Sequence, residues 1–158
     1  MLKVAQWNYK RNNTKFDPEL ETRMLAEEAQ EFKDGMVQFM ALEGQDEVGE
    51  VGEVEIIAAI VEMVDAWADY QFVMQGSIFK YLGYDTKFDW DSIRTQERYM
   101  FNVLTKDCEI PAEVLDICLE AVIEANNAKG TKKVDGKIQK GYDWRDPKDT
   151  IRGILNEL

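Results

Sequence analysis

Between Val54 and Gln75 the chain carries acids but no Lys or Arg, in a setting that is otherwise mostly apolar. Apolar residues fall at Val61, Val64, Ala68, Phe72 and Val73, and acids at Glu62, Asp65 and Asp69. Offsets of three, four and seven bring side chains onto one side of an α-helix. The spacing therefore predicts a helix on which Glu62, Asp65 and Asp69 run as a line down an apolar cylinder. A solvated face would normally mix both signs of charge, and this one does not.

One helix earlier the pattern recurs in Met24-Leu-Ala-Glu-Glu-Ala-Gln-Glu-Phe-Lys-Asp34. There Glu28 and Glu31 continue the line of Met24, beside an apolar line of Leu25, Ala29, Phe32 and Met36. If the two helices pack through these faces, Glu28, Glu31, Glu62 and Asp65 point at one another. Carboxylates about 8 Å apart repel by about 2 kcal/mol at an effective dielectric near 20, so their six pairings amount to about 12 kcal/mol. That is comparable with the whole stability of a domain, about 5–15 kcal/mol. Some groups can take up protons instead, but a divalent cation relieves the repulsion most directly. All-oxygen ligands select Mg²⁺, Mn²⁺ or Ca²⁺ over Zn²⁺, and Mg²⁺ commonly completes its shell with water and substrate phosphates. The plainer alternative is that these are solvated acids of a very acidic protein.

The 158 residues suit a single domain spanning 1–158, and 45% hydrophobic content with 17 aromatics allows a packed core. A net charge of −12 argues against a nucleic-acid or anionic-membrane partner, both of which call for a basic surface. A phosphate ligand held through metal remains compatible with it. The chain has no histidine, which removes His-ligated zinc, Ser-His-Asp and Cys-His catalysis, and imidazole bases together. Acid–base work falls to carboxylates, Lys, Tyr or water. Cys108 and Cys118 stand apart, without a C-x-x-C, and are expected to be reduced and inert. No signal-like segment opens the chain and no charge-free apolar run reaches about 18 residues, so the cytoplasm is the expected compartment.

Taken in order, residues 1–16 read as an irregular arm that docks Trp7 and Tyr9. Asp17-Pro18 starts a helix, with Asp as N-cap and Pro at the first helical position, running to about Leu42. Glu43 to Glu53, with Gly44, Gly49 and Gly52, reads as a mobile acidic connector; Glu47, Glu50 and Glu53 are remote candidates for a metal role. A second helix spans about Val54 to Leu82, with Gly76 permitting a close crossing and Gly83 as C-cap. A third runs from Phe88 to Asp107, with Trp90, Ile93, Met100, Phe101 and Leu104 as its apolar residues. Pro111 opens a fourth, with Val114, Ile117, Cys118, Ala121, Val122 and Ala125 inward and Gly130 closing it. The whole predicts an all-α fold with a four-helix-bundle-like core, followed by a basic loop and a short last helix over 148–158.

That loop changes the chain's character. Lys129, Lys132, Lys133, Lys137, Lys140 and Arg145 crowd into a short stretch of a strongly acidic protein, and Val134-Asp-Gly-Lys137 reads as a tight hairpin. An acidic body and a basic loop suggest two complementary tasks, metal binding and closure on phosphate oxygens. The alternative is that these lysines merely sit near their own acids. Trp144 could stack on a base or anchor the loop.

Together these residues resemble the all-α nucleoside triphosphate pyrophosphohydrolases, the MazG-like superfamily that includes phosphoribosyl-ATP pyrophosphohydrolase and the dimeric dUTPases. Its hallmark is an E-x-x-E pair on one helix and an E-x-x-D pair on the next, to which Glu28-Ala-Gln-Glu31 and Glu62-Met-Val-Asp65 are similar. The longer string from Glu62 to Asp69, with Gly76 following, is similar to the second half of that signature. Glu124-Ala-Asn-Asn-Ala-Lys129 looks like the family's later Asn-x-x-Lys segment. Asp135-Gly-Lys-Ile-Gln-Lys-Gly-Tyr-Asp-Trp144 with Pro147 is similar to the tail of the phosphoribosyl-ATP-pyrophosphohydrolase-like branch. The acidic connector makes the gap between the pairs long for the family, and Glu27 could stand in for Glu28.

The resemblance implies hydrolysis of a nucleoside triphosphate to the monophosphate and pyrophosphate, dependent on Mg²⁺ or alternatively Mn²⁺. It implies Glu28, Glu31, Glu62 and Asp65 as catalytic and metal-ligating residues. Asp69, Asn126, Lys129, Lys137, Lys140 and Trp144 then meet the substrate, in a homodimer or homotetramer. The nearest rival is phosphoribosyl-ATP pyrophosphohydrolase itself. A rival of another class is a non-catalytic acidic helical binding protein, whose acids would cover all faces instead of interrupting apolar stripes. A Ca²⁺ module is disfavoured, since no D-x-[DN]-x-[DN]-G loop is present.

Overall fold

The structure, a computed structural model, describes residues 1–46, 52–82 and 87–158. Over these residues it is all-α, with one two-stranded hairpin as its β-structure. Helix α1 covers Leu2–Lys10, α2 Pro18–Asp46, α3 Glu53–Tyr81, α4 Trp90–Asn102, α5 Ala112–Asn127 and α6 Lys148–Asn156; strands β1 (Lys133–Val134) and β2 (Lys137–Ile138) lie between α5 and α6. No described helix is long and apolar enough to cross a membrane.

Helix α3 is the central element. From Met63 to Ala68 every residue is buried, Asp65 among them, because α2, α4, α5, α6 and α1 all pack on it. The most extensive packing is with α2. Glu21 of α2 meets Ser77 and Lys80 near the end of α3, whereas Gly35 lies against Glu62 and Met63 nearer its start. The two helices therefore run antiparallel, and Glu28 comes level with Asp69. Gly35 is what lets them approach: a Cβ there would stand 2.9 Å from the Met63 Cγ and 3.4 Å from its backbone nitrogen. Leu25 and Phe32, both on the expected apolar line of α2, fill the seam together with Phe39, and Met100, Leu104, Leu115, Cys118 and Ile151 close the core from the other helices.

The expected start of α2 is present, Asp17 Oδ1 accepting from the Leu20 N–H at 3.1 Å. The helix runs past Leu42 through Gly44 to Asp46, because extending a formed helix costs far less than nucleating one. Residues 47–51 of the expected acidic connector, with Glu47 and Glu50, lie outside the described residues, as does Gly83; Glu53 is the exposed first residue of α3. The third helix starts at Trp90, capped by Asp89, and ends in a π-helical turn over Val103–Asp107. Rings of Phe16, Tyr81, Phe88 and Trp90 meet edge to face and join the ends of α3 and α4.

Two expectations are corrected. Residues 2–10 are a helix, not an irregular arm; nine residues are too few to be stable alone, and α1 is held by docking Val4, Trp7 and Asn8 on α3 and α5. Tyr9 does not dock and is 74% exposed. On α5 the inward stripe is Leu115, Cys118, Val122 and Asn126, and Ile117 is 54% exposed. Apolar residues occupy nearly every position from 114 to 123, so periodicity alone could not orient that helix. The α5 helix also ends at Asn127, before Gly130. The crossing at Gly76 is present: the Asn8 side chain packs where a Cβ would lie, at 3.1 Å.

Gly35→Val should overpack the α2–α3 seam and destabilise the protein by about 1–3 kcal/mol, lowering the melting temperature by roughly 2–10 °C. Thermal denaturation followed by circular dichroism checks this, and an unchanged melting temperature would contradict the close approach.

Candidate functional site

A cavity of about 590 Å³ runs along the α2–α3 seam and is roofed by the segment from Asn126 to Lys148. The two halves of the site arrive by different means. The acids stand on long helices whose opposite faces are fixed by the core. The cations come from the end of α5, the hairpin and the first turn of α6. The hairpin turn has Asp135 and Gly136 at φ 51° and 79°, as a two-residue turn of the Asp-Gly type demands. Gly136 is also pressed on α2, where a Cβ would fall 2.5 Å from the Leu20 Cδ2, so the turn anchors the basic segment over the seam.

Of the residues singled out from sequence, Glu28, Glu31, Asp65, Asp69, Asn126, Lys129, Lys137, Lys140 and Trp144 line this cavity. Glu62 does not. It is exposed beside the rim, where its Oε2 accepts from Lys148 Nζ at 2.8 Å. The same ammonium lies 3.9 Å from the Asp65 Oδ2. Glu27, weighed as a substitute for Glu28, lines the cavity and pairs with Lys137. Trp144 is half-buried with the Lys140 ammonium 4.1 Å above its ring, so one face of the ring is taken by this chain's own cation.

The electrostatics follow from burial and crowding. Burial pushes the Glu28 carboxyl up to about 8, reinforced by Asp69, Glu31 and Asp65, with Lys137 pulling the other way. Asp65 rises to about 7 through burial and Asp69, against Lys148. Asp69 rises to about 6, mainly by burial, with Lys129 opposing. Lys129 is held below the ordinary lysine value by burial, which outweighs the attraction of Asp69. Lys148 is raised, chiefly by its hydrogen bond to Glu62. Burial pushes the half-buried Cys108 thiol up to about 12 and the buried Cys118 thiol to about 11, which makes them poor nucleophiles.

Among the described residues no three acidic side chains converge as a ready-made metal cluster. The donor set nonetheless suits a hard cation. Asp65 Oδ1 is buried and finds no hydrogen-bond donor among the described residues, and the carboxyls of Glu28, Asp65 itself and Asp69 are all raised by burial in the same cavity. Glu28, Glu31, Asp65 and Asp69 are the residues that could hold such an ion, with Glu62 reaching it only on leaving Lys148.

Several cavity residues were not singled out from sequence. Glu21 and Lys80 form an ion pair that is 0% and 5% exposed, with Ser77 Oγ donating to the second carboxylate oxygen at 2.6 Å. Their signal was available: Glu21 is seven residues before Glu28, and Lys80 is the lone cation of α3, on the stripe of Asp69. Arg11 donates to the carbonyl oxygens of Asn127 (3.1 Å), Lys129 (2.7 Å) and Gly130 (3.1 Å), gripping the end of α5 from which Lys129 projects. Nothing local in the sequence points to that contact.

Comparison with protein-family models, curated proteins and solved structures gave no match for this chain. Its chemistry rests on its own geometry.

Because Glu28, Asp65 and Asp69 bind protons more tightly folded than unfolded, they favour the native state at low pH. That contribution is lost as the pH rises through about 6 to 8. In chelator the melting temperature should therefore fall from about pH 5 to about pH 8, and Glu28→Gln should flatten the fall. Thermal melts across this range check it; a melting temperature that climbs would contradict the crowding.

Proposed function

We propose that this protein is a divalent-cation-dependent nucleoside triphosphate pyrophosphohydrolase of the MazG-like, all-α class that its motifs resemble. The observation carrying this reading is the meeting of Glu28, Glu31, Asp65 and Asp69 with Lys129, Lys137, Lys140 and Lys148 across one cavity. Its volume of about 590 Å³ suits a nucleotide-sized ligand. Acids alone would suggest only an ion, and lysines alone only an anion. Opposed in one cavity they suit an anion brought in with its cation.

Glu28, Glu31, Asp65 and Asp69 would hold Mg²⁺, or Mn²⁺, with Glu62 at the rim. When bound, the cation supplies charge neutralisation for the polyphosphate and acidifies water. A water oxygen bonds to the α-phosphorus, the α–β bridging P–O bond breaks, and pyrophosphate leaves. A carboxylate not fully engaged in holding the cation, Glu28 or Glu31, takes the water's proton. Lys129, Lys137 and Lys140 offset the charge that grows on the leaving pyrophosphate. Lys137 leaves Glu27 to do so, a small motion for a pair on the open side of the cavity. The helices around α3 are read as a four-helix-bundle-like core, and the protein as a cytoplasmic homodimer or homotetramer. Exposed Val37 and Met40 on α2 and Val54 on α3, at the same end of the antiparallel pair, support that association.

Pyrophosphate release across a panel of ribo- and deoxyribonucleoside triphosphates, with Mg²⁺ and with EDTA, tests the reading. Turnover of at least one nucleotide with Mg²⁺, abolished by EDTA, is expected; none with any nucleotide refutes it. Asp65→Asn should lower kcat at least about 100-fold while leaving the helical signal and melting temperature intact or raised. Lys137→Ala should raise KM or lower kcat without weakening Mg²⁺ binding, measured by calorimetry.

A further inference from the structure

Beyond its acidic end the same cavity extends along the seam as a chamber lined by Glu21, Phe72, Gly76 and Lys80. On α3 the cavity-lining stripe passes from Asp69 through Phe72 and Gly76 to Lys80, about 16 Å along the helix axis. On α2 it passes from Glu28 back to Glu21, about 10 Å. Between these points Gly76 lines the cavity, with the Asn8 side chain packed against it.

Two buried polar groups line this cavity with capacity to spare. Lys80 is 5% exposed, and of its three N–H donors Glu21 takes one; Glu21 in turn has its other oxygen bonded by Ser77. Asn126 is 4% exposed, and its Oδ1 has no hydrogen-bond partner among the described residues. The amide orientation is fixed chemically, because its Nδ2 must donate to the Val122 carbonyl at 2.9 Å. A buried ion pair is weak ground for stability, since apolar residues of the same volume often serve as well or better. A buried acceptor without a donor is unfavourable outright. Both features make sense if a ligand completes them.

We propose that this chamber reads the edge of the nucleobase: Lys80 donates to a base carbonyl, and Asn126 Oδ1 accepts from a base N–H. Glu21 and Ser77 position the Lys80 ammonium. The inference rests on the cavity being a nucleotide site, and it names the class of substrate. Guanine, hypoxanthine, uracil, thymine and cytosine offer both a carbonyl and an N–H donor; adenine has no carbonyl.

Inosine triphosphate and ATP isolate this edge, since they differ by a 6-oxo group and ring N–H in place of a 6-amino group and bare ring nitrogen. For the wild-type protein kcat/KM should be at least about tenfold higher for inosine triphosphate. In the paired variant Glu21→Gln/Lys80→Met, which removes both buried charges together, the ratio should fall below about threefold, with folding checked by circular dichroism. A wild-type ratio near one overturns the inference, whether or not the variant folds. So does an undiminished ratio in a folded variant. In either case nucleotide hydrolysis itself still stands. Absence of pyrophosphate from every nucleotide would remove both the hydrolase reading and this one.

Discussion

The structure depends on how two long helices bring like charges together along one seam. α2 and α3 are driven into contact by Leu25, Phe32, Phe39, Met63 and Val64, and Gly35 lets that contact be close. The same packing forces Glu28, Asp65 and Asp69 into a shared, poorly solvated space, where burial raises the proton affinity of each and neighbouring acids add to it. The hydrophobic gain of the seam and the electrostatic strain in it are therefore one event, and neither can be tuned alone.

What relieves the strain comes from far along the chain. The segment from Lys129 to Lys148 crosses the seam and sets ammonium groups against the acids, as Lys137 with Glu27 and Lys148 with Glu62 and Asp65. The Lys137–Glu27 and Lys148–Glu62 contacts are half-exposed, so each contributes little to stability. Their significance is geometric: they hold cations within reach of whatever enters the cavity, and are weak enough to be exchanged. The buried pair of Glu21 and Lys80 is of the opposite kind, out of water and fixed by Ser77.

Much of this was legible in the residues before any coordinates. The lines of α2 and α3 are written in offsets of three, four and seven, and Asp135-Gly136 announces its turn because few residues accept a positive φ. Helix α1 was not legible, since it owes its existence to Trp7 and Val4 docking on distant helices and has almost no local signal. The face of α5 was obscured by an excess of apolar residues. Glu62 joins the line of Asp65 on a helical wheel, yet the wheel carries no depth: Asp65 is 7% exposed, whereas Glu62 hangs over the rim. The Glu21–Lys80 pair could be sensed from a lone lysine in an acid-only helix, though its partner lies 59 residues away.

The grip of Arg11 on the end of α5 bears on how the protein can be handled. One guanidinium ties three carbonyl oxygens of residues 127, 129 and 130, and stacks 4.5 Å over Trp7, whose indole N–H donates to the Asn126 carbonyl at 2.7 Å. The first eleven residues thus act as a splint for the peptide that carries Lys129. Trimming them to make a shorter construction for crystallisation, or crowding them with a bulky fusion, would loosen the roof of the cavity while leaving the α2–α3 seam beneath it whole.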